Sequence, residues 1–216
     1  MTIDFLGITL QSYSWQTVLG SSISGVFLGS IYALVALGLT LIYGVLHIIN
    51  FAHGSLLMLA MYAVFFLWNI LGLDPYLSML IVVPCGYLFG YTLQRTIIGK
   101  ASHGKDEITL LVMLGVSIIM ENTALFFFTA TDRSVRVAYD LDGFDLGVTY
   151  VVYPEIAALL GSLLITLVLW FFMSYTDTGK AIRAVSKEPQ GARLVGINVE
   201  HIFAVSFGIG TACVAA

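Results

Sequence analysis

The chain has 216 residues, 59% of them hydrophobic and only 10% charged, with a net charge of −4. Its mean hydropathy is +0.96, whereas a soluble globular chain is ~45–50% apolar and ~25% charged. The composition excludes a soluble globular domain in favour of a polytopic membrane protein, and the acidic balance argues against a nucleic-acid partner. Cys85 and Cys213 both lie in apolar runs. Neither a structural disulfide nor a metal site is expected, because no His or Cys cluster has ligand spacing. The first residues lack the basic region and cleavage site of a secretory signal, so the first span reads as an uncleaved anchor.

Residues 1–16 are mixed, and a short interfacial helix is the expectation there. An apolar run follows from Thr17 to Val45, long enough for one tilted span. In it Ser21, Gly25, Gly29 and Ala33 recur every four residues. That small-residue face is read as packing within the bundle. Ser55–Leu71 is a second apolar run. Asp74-Pro75 then marks a helix start, with Asp as cap and Pro at the first position. The third span covers Pro75–Gln94, with a kink expected at Pro84. The fourth covers Ile108–Ala130 and the fifth runs from Pro154 to about Tyr175. A sixth begins at His201, but its 16 residues fall short of a ~30 Å hydrocarbon core. The fold class is therefore all-α, a bundle of about six transmembrane spans in one domain, 1–216, and the chain is expected to be a C-terminally truncated piece.

Orientation follows from the basic loops. Arg95, Lys100 and Lys105 lie in one, and Lys180, Arg183, Lys187 and Arg193 in another, 176–198. Between them, 131–153 sets Arg133 and Arg136 against Asp132, Asp140, Asp142 and Asp145. The first two loops are expected in the cytoplasm and the third outside. Counting back places residues 47–54 towards the cytoplasm and the N-terminus outside, an order that a re-entrant segment near 44–55 would invert.

Two polar groups stand out in the spans. No Asp, Glu, Lys or Arg occurs between Asp4 and Asp74, yet that stretch holds Asn50-Phe51-Ala52-His53-Gly54, with His47 just before it. On a helix 47, 50 and 54 share a face, and Gly44 and Gly54 bracket the segment. Spacing leaves two readings open: a broken helix lining a path, or a tight turn with Asn50 capping the next helix. The second group is Glu121-Asn122. Glu121 is the one acid deep in a span, and it is expected to face the interior, paired or protonated. Substrate contact and helix–helix hydrogen bonding both fit it.

Outside the spans, Val135, Val137, Tyr139 and Leu141 alternate with polar or small residues before Asp142-Gly143, and Phe144, Leu146, Val148 and Tyr150 alternate after it. That pattern predicts a β-hairpin turning at Asp142-Gly143, serving as a docking surface or a lid. On the inner side, Lys180, Arg183 and Lys187 form one basic helical face. Pro189 starts a new short helix beside Glu188, and Gly196 ends it. Catalytic residues are not expected. No phosphate-binding Gly-Lys-Ser/Thr loop is present, so the chain is not expected to hydrolyse ATP or to bind a cofactor.

The segment from Gly29 to Gly44, Gly-Ser-Ile-Tyr-Ala-Leu-Val-Ala-Leu-Gly-Leu-Thr-Leu-Ile-Tyr-Gly, followed by Asn50–Gly54, resembles the permeases of ABC importers for branched-chain amino acids. It is most similar to the first of the two related permease subunits in the high-affinity leucine, isoleucine and valine type. Gly115–Asn122, Thr178–Ala184 and Gly196-Ile197-Asn198 fit as well, and the likeness covers roughly 17–216. The resemblance implies a second permease subunit, two cytoplasmic ATPase subunits that use the ATP, and an external, periplasmic substrate-binding protein, all at the inner membrane. It favours a path-lining break, with Asn50, His53, Gly54, Glu121 and Asn122 as pathway candidates. It makes 188–198 the segment contacting the ATPase, with Arg183, Glu188, Ala192 and Gly196 as coupling candidates. The family's Glu-Ala-Ala pattern is replaced here by Glu188-Pro189-Gln190-Gly191-Ala192. Importers of urea, amides and other amino acids share much of the pattern. A secondary transporter coupling ions through Glu121 and a non-transport membrane scaffold are the rival classes.

Overall fold

The computed structural model describes residues 2–5, 8–11, 14–101, 106–137, 139–145, 147 and 149–216. Lys105 of the first basic loop, and Leu146 and Val148 of the expected hairpin, lie outside the described residues. The apolar runs all become helices. α1 (Trp15–Leu46) is capped by the Ser14 side chain, which accepts from Thr17 N. α2 (His53–Leu71) and α3 (Pro75–Leu93) follow, and Asp74 caps α3 by accepting from Tyr76 N. Pro84 lies inside α3, which then passes through a π-helical turn, Gln94–Ile98, into the short α4 (Gly99–Ala101). α5 (Asp106–Phe128) and α6 (Tyr153–Tyr175) complete five helices long and apolar enough to cross a membrane. α7 (Asp177–Lys187) and α8 (Pro189–Leu194) form the short segment expected on the inner side, and α9 (Val199–Val214) is a shorter apolar helix.

Residues 2–5 and 8–11 are not helical. β1 (Thr2–Phe5) pairs antiparallel with β2 (Ile8–Gln11). Each strand alternates polar and apolar residues, a period of two that a helix does not use. The expected hairpin forms, but its turn is not at Asp142-Gly143. β3 (Gly143–Asp145) pairs with β4 (Tyr150–Val152), Gly143 opposite Val152. Gly143 lies within the ladder, where an added Cβ would strike the Val151 carbonyl. Asp145 Oδ1 accepts from Gly147 N at 2.8 Å, and Gly147 has φ +74°. The turn thus belongs to this later Asp-x-Gly.

α9 runs through the centre of the bundle. Lipid tails are as apolar as the side chains, so helices in a membrane associate through close packing and hydrogen bonds. α9 supplies both. A Cβ added at Gly38 of α1 would lie 2.6 Å from Gly210 O. A Cβ added at Gly208 would lie 2.9 Å from Tyr87 O of α3. Thr211 Oγ1 also donates towards Gly86 O of α3 at 2.9 Å. The expected packing face of Ser21, Gly25, Gly29 and Ala33 is instead open. All four are exposed, and a Cβ at Gly25 or Gly29 would meet nothing within 4 Å. Close contact occurs one and a half turns beyond Ala33, at Gly38.

Side-chain contacts tie the helices together at both ends of the bundle. At one end Ser186 Oγ of α7 donates to Gly44 O of α1, and Tyr91 of α3 bonds His201 Nδ1 of α9 at 3.1 Å. At the other, Tyr139 Oη donates to Asp74 Oδ2 at 2.6 Å, tying the loop between α5 and α6 to the start of α3. Desolvation and, after it, the Asp74 carboxylate hold the Tyr139 phenol well above its ordinary pKa. Arg133 closes the same end: it donates to Phe128 O at 3.0 Å and lies over the Phe65 ring at 5.4 Å.

Candidate functional site

α1 has 32 residues, about 48 Å of helix, which exceeds the ~30 Å hydrocarbon core. It ends at His47, a non-glycine residue in the left-handed region with φ 58°. Gly44 and Gly54 do not make the break. Gly44 lies within α1 and Gly54 in the first turn of α2. The non-helical backbone is 47–52, so His47, Asn50 and Gly54 do not share one helical face. Asn50 Oδ1 accepts from Ala52 N at 3.0 Å, and Asn50 O accepts from His53 N at 3.2 Å. Asn50 therefore shapes the turn into α2, while the α2 cap position, Ala52, offers no side-chain acceptor.

This segment climbs back into the bundle. His53 Nε2 lies 3.0 Å from Val35 O, and Val35 is about 16 Å up α1 from Leu46 at ~1.5 Å per residue. A carbonyl only accepts, so Nε2 carries the proton and Nδ1 is a bare acceptor. The partner helix gives a similar depth. Ser55 meets Ser117, which is about 16 Å from the N-terminal end of α5. α2 therefore starts well along α1 and α5 from their ends; inside a membrane, irregular backbone persists only if buried or lining a cavity.

At that depth Ser55, Ser117 and Glu121 form a compact polar group. Ser55 Oγ and Ser117 Oγ lie 2.6 Å apart. Glu121 Oε1 accepts from Ser55 at 2.8 Å and from Ser117 at 3.0 Å. Asn50, His53, Ser55 and Ser117 are buried, whereas Glu121 is exposed on α5. Asn50 Nδ2 and His53 Nδ1 are buried without a hydrogen-bond partner. Asn122 is not part of the group. It is exposed, and its Nδ2 donates back to Ile118 O at 2.8 Å. Ser55 and Ser117 escape a reading of the sequence, because serines in membrane helices ordinarily bond their own backbone, as Ser22 does to Val18 O.

The inner segment is equally well defined. Thr176 Oγ1 accepts from Gly179 N at 3.0 Å and starts α7, whose Lys180, Arg183 and Lys187 are exposed. α8 starts at Pro189 after Glu188 and ends in a double cap. Gly196, with φ +86°, donates to Arg193 O at 3.1 Å, and Ile197 donates to Ala192 O at 3.0 Å, the Schellman pattern that favours glycine. Ala192 is only 4% exposed and packs with Val45, Ile182, Val185 and Val199. It therefore anchors the segment and is not a contact on its surface. Glu188 and Gly196 are exposed. So are Leu194 and Val195, at 89% and 77%, a pair of bare apolar side chains that polar-pattern reasoning overlooks.

Comparison with known proteins accounts for nearly the whole chain. A family model described as the permease component of branched-chain amino acid transport systems matches residues 4–216. The high-affinity branched-chain amino acid transport permease BraD of Pseudomonas aeruginosa is 28% identical, over 89% of this chain and 67% of its own. Its counterpart LivH of Escherichia coli K12 is 29% identical, over 89% of this chain and 66% of its own. A probable LivH of Methanocaldococcus jannaschii is 27% identical over 79% of this chain. The chain spans about two thirds of the length of these bacterial relatives. No solved structure matches it. With five membrane-crossing helices and a family match over residues 4–216, this multi-pass membrane protein belongs to the permease components of branched-chain amino acid transport systems.

Proposed function

We propose that the chain is a single permease domain, 1–216, of an ATP-binding cassette importer that carries branched-chain amino acids across the inner membrane by alternating access. The observation that supports this reading is the contact of His53 with Val35, well along α1 from its end, beside the Ser55–Ser117–Glu121 group. A polar, irregular segment at that depth persists where it is buried in protein or lines a cavity, and in this reading it borders the path. The pathway candidates are Asn50, His53, Gly54 and Glu121, joined by Ser55 and Ser117. Asn122, one residue along α5, is kept as a pathway candidate although its side chain stands apart from this group.

The partners in this reading are a second permease subunit, two cytoplasmic ATPase subunits and a periplasmic substrate-binding protein. The chain itself is not an enzyme and binds no cofactor; the ATPase subunits use the ATP. Segment 176–198 transmits their motion. Arg183, Glu188, Leu194 and Val195 offer the contact surface, Ala192 anchors it and Gly196 fixes its exit. The contact between Ser186 and Gly44 links this segment directly to the end of α1. Movement of α7 is thereby passed to the break that follows Leu46.

The test is reconstitution of the whole importer in liposomes, with radiolabelled leucine, isoleucine, valine and urea. ATP-dependent uptake of the three amino acids and not of urea is the expected result. Uptake that ignores ATP and disappears with the proton gradient would overturn it in favour of ion coupling through Glu121.

A further inference from the structure

We propose that the start of α2 and Glu121 together form a binding site for the zwitterionic head of an amino acid; this rests on the transport reading above. The α-carboxylate sits on the α2 N-terminus and the α-ammonium on Glu121. Four observations converge on this site. First, the N–H groups of Gly54 and Ser55 have no acceptor among the described residues, while His53 N and Leu56 N are bonded to Asn50 O and Ala52 O. Free N–H groups at the positive end of a 19-residue helix favour an anion. Second, Asn50 is 3% exposed, and its Nδ2 is an unpartnered donor on the same amide whose Oδ1 holds Ala52 N. Third, a Cβ built at Gly54 would meet nothing within 4 Å, so there is room beside this turn.

Fourth, the opposite charge is waiting. Glu121 Oε1 is fixed by Ser55 and Ser117, yet no cation accompanies it. The one salt bridge among the described residues is Lys180–Asp177, on the inner segment. A carboxylate in a span calls for a positive partner, and the ligand's ammonium supplies it. His53 Nδ1, 7% exposed and unpartnered, adds a neutral acceptor. Ser55 belongs to both halves of the site: its N–H is among the free donors, and its hydroxyl holds the Glu121 carboxylate. The variable side chain of the ligand plays no part in this recognition. The site selects amino acids against neutral amides, and leaves the choice among amino acids to other parts of the importer.

The experiment measures melting temperature of the assembled importer, purified without its binding protein, at millimolar ligand. Leucine is expected to raise it. Leucinamide, which lacks the carboxylate, and 4-methyl-2-oxopentanoate, which lacks the ammonium, are expected not to. Glu121→Gln should lose the leucine shift, and Glu121→Asp should keep part of it. An equal shift with either analogue, an unchanged shift in Glu121→Gln, or no shift with leucine overturns the site. The wild-type ligand series decides even if Glu121→Gln fails to assemble. Uptake in the same preparation separates the two claims. ATP-dependent leucine uptake without the shift overturns this site alone, whereas absent uptake overturns the transport reading as well.

Discussion

The crossing of α1 and α9 places a backbone carbonyl where a methyl group would go, so Gly38→Ala is a direct test of the packing. The new Cβ would lie 2.6 Å from Gly210 O and 3.1 Å from Cys213 Cβ, against an ordinary contact of 3.4–4 Å. Backbone cannot rotate aside, so α9 must retreat by roughly 0.8 Å. Overpacking of this kind costs about 1–3 kcal/mol, and replacing a helical glycine returns at most about 1 kcal/mol. With that offset taken in full the net loss is about 0–2 kcal/mol, up to a factor of roughly 30 in the folded population. Gly29→Ala is the matched control, since its Cβ meets nothing within 4 Å and only the propensity gain remains. Denaturant midpoints of the two purified variants in detergent decide the matter. A Gly38→Ala midpoint equal to or above that of Gly29→Ala would refute the packing argument.

Three further perturbations probe the site and its surroundings. Ser117→Ala removes a hydroxyl shared by Ser55 and Glu121 and should cost about 1.5–3 kcal/mol as a charge-assisted bond. A double-mutant cycle with Ser55→Ala should be non-additive by more than about 0.5 kcal/mol, and strict additivity would dissolve the group. Gly196→Val strains a φ of +86° by about 1–2 kcal/mol, and should impair uptake while membrane insertion stays intact. Leu194→Ser should weaken copurification with the ATPase subunits while moving stability by no more than about 0.5 kcal/mol; wild-type uptake and copurification in both would remove the coupling role. Tyr139 titrates above its ordinary range. Because the folded state prefers the neutral phenol, its contribution to docking the external loop is complete below about pH 10 and is lost as pH rises through the folded value. The tyrosinate absorbance difference between wild type and Tyr139→Phe should therefore appear late in an alkaline titration, and Asp74→Asn should bring it earlier.

Helix positions were legible because each apolar run is long and carries its own punctuation. Asp74-Pro75 and Pro189 start their helices by local chemistry alone, and Gly196 ends one. The failures have a common cause in tertiary placement. The small-residue face from Ser21 to Ala33 has the spacing of a packing face, but nothing in the sequence says that α9 crosses lower, at Gly38. Asp142-Gly143 and Asp145-Leu146-Gly147 compete as turns, and Gly143 is drawn into the ladder by its close approach to Val151. The break at 47–52 was visible as polar residues in an apolar run. Its depth was not, because depth comes from the long-range bond of His53 to Val35. Likewise Glu121 announced itself by charge, whereas Ser55 and Ser117 look like any other membrane serines until α2 and α5 are brought together. Arg183 and Glu188 stand at the surface as their charge suggests. Ala192 turned inward because α8 needs an apolar anchor against Val45 and Val185.

Solvent access at the start of α2 tests the central claim most directly. Ser55→Cys, in a chain with Cys85 and Cys213 replaced, is to be labelled by a membrane-impermeant thiosulfonate in the reconstituted importer, without nucleotide and with ATP trapped on the ATPases. Val168→Cys, on the exposed apolar side of α6, serves as the lipid-facing reference. The account predicts that Ser55→Cys reacts, and that its rate changes at least tenfold between the two states while Val168→Cys stays inert in both. A Ser55→Cys thiol as unreactive as Val168→Cys in both states would contradict it.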